Sequence, residues 1–377
     1  MTDRVAAPFR LLRSGDEAFA LMLDAIAAAR DSVRLESYIY GDDETGREFL
    51  QALLDARARG VRVQVLVDAW GCFELNAGFF DVLVAAGGEV RWFNPLQLDR
   101  FAFRNHRKSL VCDGQAGFVG GYNIAHEYAG DGRTRGWCDI AMRLEGPLIE
   151  PLSSSFDQMW ALAAFRHKLF AVFRKSPAKQ HRRGDCCELL LSGPGLGFNP
   201  IKRALKRDFA RAPDIQIIAA YFFPPLRMRR ALMRAARHGR RVQLILAGKS
   251  DVPLSQGATR SLYRRFLKAG VEIYEYQPQI LHAKLVIAGD AVYVGSSNLD
   301  PRSLDFNYEL MVRAEHTQLT GEARELFAAM LLYSERITFE SWAKSQSLWE
   351  RLHQRWAYFV VAQFDQFVSR RQLRRMR

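Results

Sequence analysis

The chain has 377 residues, 49% of them hydrophobic, enough for one large or two medium domains with substantial cores. Its formal charge of +13 points to an anionic partner, whether nucleic acid, phospholipid headgroups or a phosphorylated substrate. No run reaches the ~18 apolar residues of a membrane span, and five cysteines without metal-ligand spacing argue against a disulfide framework and for a reducing compartment.

In chain order, MTDRVAAPFRLLRSG lacks the apolar core of a signal peptide. SVRLESYIYGDD (32–43) reads as a strand, FLQALLDARARG (49–60) as an amphipathic helix closed by a glycine, and VRVQVLVDA (61–69) as a buried β-branched strand. LVAAGGEVRWFNP (83–95) supplies another strand, and NHRKSLVCDG (105–114) a further one ending in a turn. GFVGGYN (117–123) and WCDIAMRLEGP (137–147) follow, with Cys112 and Cys138 read as small buried thiols. A basic stretch, FRHKLFAVFRKSPAKQHRRGD (165–185), then breaks the pattern.

After it the series starts again. DIQIIAAYFFPP, MRRALMRAARHGRRVQLILAGKSD, FLKAGVEIYEYQP, LHAKLVIAGD and VYVGSSN repeat the first half, with Tyr38 matching Tyr221, Gly60 matching Gly239 and His106 matching His282. This is a duplication. The β-α-β order predicts an α/β fold of two homologous α-β-α domains with mixed, mostly parallel sheets. The expected divisions are 1–178, 179–342 and a basic amphipathic extension, 343–377. Two such domains would pack about a pseudo-two-fold axis and bring both His-x-Lys pairs to one cleft.

A strand alternates its faces, so His106 and Lys108 share one face, about 6–7 Å apart, as do His282 and Lys284. Each pair is followed by small residues that let a ligand approach the backbone, and by an amide, Asn123 or Asn298. Two cations, two amides and two imidazoles converging from symmetric halves suit a phosphodiester. Asp139 and Glu309 follow at similar places; a carboxylate on Nδ1 would fix each imidazole's tautomer and leave Nε2 reactive. No cluster has the ligand spacing of a metal site, so no metal or other cofactor is expected.

These residues resemble the signature of the phospholipase D superfamily, His-x-Lys-x4-Asp followed by a Gly/Ser-rich segment and Asn. His106, Lys108, Asp113, Gly120, Gly121 and Asn123 match it in full. His282, Lys284, Gly295, Ser296, Ser297 and Asn298 match in the second copy, where the aspartate, Asp290, stands one place late after Gly289. Asp113-Gly114 suits a type I′ hairpin turn and Gly289-Asp290 a type II′ turn, so a different turn absorbs the deletion. Within the superfamily, ESYIYGDDETGREF, AYFFPP, LHAK and above all GSSNLDPRSLDFNYEL (295–310) resemble bacterial cardiolipin synthases, in the shorter form without N-terminal membrane spans.

The resemblance implies catalysis by His106, Lys108, Asp113, His282, Lys284 and Asp290, although this aspartate in the family is held to support the fold more than the chemistry. It implies a phosphohistidine intermediate on His106, with His282 as general acid and base. Lys108, Lys284, Asn123, Asn298 and Ser296 would bind phosphate, and Asp139 and Glu309 would orient the histidines. Phosphatidylglycerol would donate its phosphatidyl group to a second phospholipid's hydroxyl. The rivals are a phosphodiesterase hydrolysing phospholipid or nucleic acid, and a non-catalytic lipid-binding scaffold. Nucleic acid is the less favoured partner, since no recognised module for it is present. Duplication makes a monomer sufficient for the site. The expected location is cytoplasmic, peripheral on the inner face of the cell membrane. There Trp349 and Trp356, part of an apolar stripe at helical spacing, would contact lipid with Arg370 and Arg371. The alternative for that stripe is packing against its own domain.

Overall fold

Each repeat builds its own mixed sheet in the computed structural model, which describes residues 8–94, 103–164, 179–183, 186–195, 197–345 and 347–361. The first contains β1 (Phe9–Leu12), β2 (Ser32–Ser37), β3 (Arg62–Asp68), β4 (Glu89–Phe93), β5 (Ser109–Cys112), β6 (Ala116–Gly120) and β7 (Ala141–Leu144), ordered β1-β7-β6-β5-β2-β3-β4. The second contains β8 (Gln180–Arg183), β9 (Cys187–Ser192), β10 (Asp214–Ala219), β11 (Arg241–Ala247), β12 (Glu272–Tyr276), β13 (Lys284–Ala288), β14 (Ala291–Gly295), β15 (Glu309–Glu315) and β16 (Ser334–Ile337). Its order, β16-β12-β11-β10-β13-β14-β15-β9-β8, repeats the first sheet with β8 and β16 added at the edges.

The sheets are mixed, but the expectation that parallel pairing dominates is corrected. Among the described residues only β2–β3, β3–β4, β10–β11 and β11–β12 run parallel. The reason lies in the connections. Helical crossovers such as Glu44–Ala58 and Leu226–Arg237 return the chain parallel, whereas β5–β6 and β13–β14 are joined by tight turns of three and two residues that impose antiparallel pairing. Asp113 and Gly114 both have positive φ (53° and 63°), as a type I′ turn requires; in the second hairpin Gly289 (60°) is positive and Asp290 is not, the sign pattern of type II′.

The strands are apolar on both faces because both are covered. In β13, Val286 joins a core with the helices Pro200–Arg211 and Leu226–Arg237, while Leu285 and Ile287 join the core between the two sheets. That central core takes Val111, Val119 and Met142 from the first half and Val292, Val294 and Val312 from the second. The halves are therefore packed face to face, with shared apolar burial as the main force holding them. Four of the five cysteines, including Cys112 and Cys138, are buried. No helix among the described residues is long and apolar enough to cross a membrane.

Candidate active site

Because β5 runs antiparallel to β2, and β13 to β10, each His-x-Lys pair sits at the C-terminal ends of the parallel strands of its own sheet. The backbone beside each pair is fastened to the opposite half. His106 N–H donates to the Tyr308 carbonyl at 3.0 Å and Tyr308 N–H to the Arg104 carbonyl at 2.9 Å. Reciprocally, His282 N–H donates to the Cys138 carbonyl at 2.7 Å. Residues 308 and 138 immediately precede Glu309 and Asp139, so each motif runs alongside the acid of the other repeat.

The acids are thereby exchanged. Glu309, fully buried, lies 3.0 and 3.1 Å from His106 Nδ1 through its two carboxylate oxygens. Asp139, 1% exposed, meets His282 Nδ1 at 2.5 Å. Each carboxylate can hold its imidazole with Nδ1 protonated and Nε2 bare, which is the tautomer a nucleophile or proton acceptor needs. The sequence places each acid behind its own motif; the structure assigns it to the other. This reciprocity is what a pseudo-two-fold relation between the halves produces, and it leaves neither repeat with a complete site.

The two ends of the site differ in charge balance. Burial, then the nearby Lys108 and Lys284, hold the His106 imidazole well below its ordinary range. Burial pushes the Glu309 carboxyl up to about 8, with Lys108 and the Ser296 hydroxyl opposing the shift, which weakens its support of an imidazolium on His106. His282 is also lowered, first by burial and then by Lys284, but Asp139 opposes that shift. A neutral His106 is suited to attack; His282, beside a carboxylate, is suited to carry a proton.

Lys108 Nζ donates to the His106 carbonyl at 2.8 Å and lies 5.0 Å from the Tyr38 ring centroid. Lys284 Nζ lies 2.9 and 3.1 Å from the ring nitrogens of His282 and also donates to that residue's carbonyl. Burial pulls the Lys108 ammonium down to about 7, with Lys284 adding to the shift and Glu309 opposing it. A lowered lysine pKa means charge present below that value and lost above it. In the unliganded protein kcat/KM should therefore fall as pH rises through about 7. Lys108→Arg should flatten that alkaline limb, because a guanidinium stays charged, even though its altered geometry lowers the plateau. An unchanged limb in the arginine variant would show that Lys108 is not the titrating group.

Other expected site residues are placed differently. Ser296 Oγ donates to Glu309 at 2.5 Å and accepts from Leu310 N–H at 3.1 Å, so it holds the carboxylate and is not free for phosphate. Asn123 Oδ1 accepts from Ile39 N–H at 3.0 Å and its Nδ2 donates to the Tyr128 hydroxyl at 2.7 Å, which leaves one amide hydrogen. Asn298 is buried beside Ser297, and its Oδ1 has no hydrogen-bond partner among the described residues. The small residues make room for protein atoms: a Cβ on Gly121 would stand 2.1 Å from Asp139 Oδ1, and one on Gly295 2.2 Å from the Leu310 carbonyl oxygen.

Asp113 and Asp290 lie at the hairpin tips, past the ends of β5 and β13 opposite the His-Lys pairs. Asp113, at the tip of the β5–β6 turn, accepts the backbone N–H groups of Arg30, Asp31 and Ser32, each at 2.8 Å. Asp290 is exposed at the β13–β14 turn, where an Arg324–Asp214 ion pair and an Arg324 bond to the Gly289 carbonyl secure the corner instead. Asp113→Ala should lower stability by about 1–3 kcal/mol, while Asp290→Ala should stay within about 0.5 kcal/mol. Thermal unfolding with activity per folded molecule checks both; a large loss of kcat in folded protein would return the aspartates to the chemistry.

Some contributors escaped the sequence reading. Tyr38 packs edge-on against His106 with centroids 4.9 Å apart, and Tyr128 and Tyr221 flank His282 at 5.2 and 6.4 Å. Tyr38 and Tyr221 were visible as matched landmarks of the repeat, a signal that could have marked them as site walls. Beneath the first motif, Glu36 accepts from Asn105 and Ser109 and pairs with Arg107. Asp68 accepts the Asn105 N–H at 2.8 Å and lies 3.5 Å from Arg104. The one group of metal-type ligands among the described residues is Asp43, His126 and Glu127, and Asp43 already accepts N–H bonds from Gly46 and His126. Trp349 and Trp356 lie on a surface helix, whereas Arg370 and Arg371 fall outside the described residues.

Residues 22–160 and 205–331 match a sequence family described as cardiolipin synthase, PLD-like domain. The chain is 31% identical over 349 residues to the major cardiolipin synthase ClsA of Bacillus subtilis, covering 91% of this chain and 72% of that protein. It is 34% identical over 308 residues to cardiolipin synthase 2 of Bacillus anthracis, covering 80% of this chain but only 60% of that protein. Its fold is similar to the crystal structure of phosphatidylserine synthase from Haemophilus influenzae, with a TM-score of 0.75 at 15% identity over 96% of this chain and 95% of that one.

Proposed function

The chain belongs to the cardiolipin synthase family with phospholipase D-like domains, and from that membership we propose that it is a phosphatidyltransferase making cardiolipin from phosphatidylglycerol and the hydroxyl of a second phospholipid. The observation that carries the reading is the exchange of Glu309 and Asp139 between the two histidine motifs, which makes one two-histidine site from two repeats.

The steps follow from the residues. His106 Nε2 attacks phosphorus, the N–P bond forms and the P–O bond to the donor's glycerol breaks, with His282 giving its proton to the departing oxygen. Lys108 and Lys284 oppose the negative charge on the non-bridging oxygens, which otherwise repels any nucleophile. His282, now neutral, takes the proton of the incoming lipid hydroxyl; the new P–O bond forms and the N–P bond breaks. Glu309, held against Nδ1, accepts the ring N–H and supports the positive charge that His106 carries while phosphorylated. Water in place of the lipid hydroxyl would yield phosphatidic acid.

Product analysis after incubation with phosphatidylglycerol vesicles tests this. Cardiolipin and free glycerol are expected in equal amounts; phosphatidic acid as sole product would make the protein a hydrolase. Adding phosphatidylethanolamine tests the choice of donor, since ethanolamine would then leave in place of glycerol, and turnover of single-stranded DNA alone would contradict the lipid reading.

A further inference from the structure

We infer that the protein meets its substrate by laying the mouth of the cleft against a bilayer through two separate apolar rims, one contributed by each repeat; this rests on the lipid-transfer reading above. The first rim is the loop after β3. Asp68, the last residue of that strand, accepts the N–H groups of Trp70 and Gly71 at 2.9 and 3.2 Å and that of Asn105, next to His106. The loop is thus tied to the site, yet Trp70 and Phe73 stand 37% and 63% exposed, their ring centroids 6.1 Å apart.

The second rim stands in the equivalent place of the second repeat. After β11, Asp251 accepts a hydrogen bond from Tyr221, which flanks His282, and the helix Pro253–Arg260 begins. The terminal helix Leu348–Phe359, opened by a Ser347–Glu350 capping box, docks on that helix through buried Ala357 facing Gly257. Tyr358 packs on Phe223, two residues from Tyr221, at 5.2 Å. With those contacts made, Trp349 (81% exposed), Leu352, Trp356 and Phe359 remain in solvent. At 100° per residue they fall within an arc of about 80°. The helix is therefore already anchored by its other side, and among the described residues this stripe packs on no other part of the chain.

Loops after equivalent strands lie at equivalent edges, so the pseudo-two-fold relation sets the two rims on either side of one opening. Exposed tryptophan and phenylalanine suit the headgroup boundary, where an aromatic body is buried and a polar edge stays wet. Arg355 is exposed beside the helical stripe, and the chain's net charge is +13, which favours an anionic lipid surface. A substrate whose acyl chains stay in the bilayer would then present only its phosphate to the cleft.

The test uses the full chain with two double variants, Trp349→Glu/Trp356→Glu and Trp70→Glu/Phe73→Glu, all at exposed positions. Sedimentation with vesicles of equimolar phosphatidylglycerol and phosphatidylcholine should show binding reduced roughly tenfold or more by each variant. Turnover of vesicle lipid should fall with it, while turnover of a monomeric short-chain phosphatidylglycerol in solution stays at the parent level, which also certifies folding. Parent-like vesicle binding in both variants would overturn the inference, as would a parent dimer that the glutamates dissociate, since the rims would then be a protein interface. If the parent binds vesicles but turns over neither lipid form, the functional reading fails and the docking surface stands.

Discussion

Replacing His106 or His282 with asparagine should each abolish phosphatidyl transfer, with kcat reduced by at least ~10⁴. The two losses have different origins. Asparagine at 106 removes the only imidazole positioned by Glu309 and so removes the covalent step itself. Asparagine at 282 leaves the nucleophile but strands the departing glycerol oxygen without a proton and the incoming hydroxyl without a base. Neither variant should lose the fold, because both backbones remain tied by the Tyr308 and Cys138 carbonyls. Steady-state assay of cardiolipin formation checks this, and near-parent activity in either variant would remove that histidine from the mechanism. Mixing the two inactive variants should not restore turnover, since each chain holds both halves of its site in one shared core.

The second large effect belongs to Asp139. Asp139→Asn should lower kcat by ~10³–10⁴, comparable with loss of the orienting aspartate in hydrolytic triads. The amide can present its N–H to Nδ1, which favours the wrong tautomer and withdraws the charge that supports an imidazolium on His282. Glu309→Gln should cost less, roughly 10²-fold, because burial already raises that carboxyl's pKa and weakens its charge support of His106. Equal losses for the two acids, measured on folded protein, would contradict the charge asymmetry between the ends of the site.

Much of this was legible in the chain. The repeat announces itself through strands and helices of matching length, and His106, Lys108, His282 and Lys284 stand in two copies of one pattern. The hairpin turns could be typed from Asp113-Gly114 and Gly289-Asp290 because only particular residues tolerate those signs of φ. What escaped was anything set by the contact between halves. That Asp139 serves His282 and Glu309 serves His106 depends on which strands run side by side across the interface, and no local periodicity records it. Ser296 looked like a phosphate ligand because its hydroxyl follows the motif, yet a buried carboxylate next to it takes the bond first. The parallel share of the sheets was overestimated because the long β-α-β crossovers dominate the sequence, whereas the short hairpins decide most of the pairings.

The exchange of acids is tested most directly by a burst experiment with a phosphatidyl ester of p-nitrophenol, whose leaving group needs no proton. His282→Asn and Asp139→Asn should each release about one nitrophenolate per chain and then stall, with label retained on His106, because only the second step requires the base. His106→Asn should show no burst, and Glu309→Gln a burst slowed in its rate. A burst lost in Asp139→Asn but kept at full speed in Glu309→Gln would mean that each acid serves the histidine of its own repeat, contrary to the structure described above.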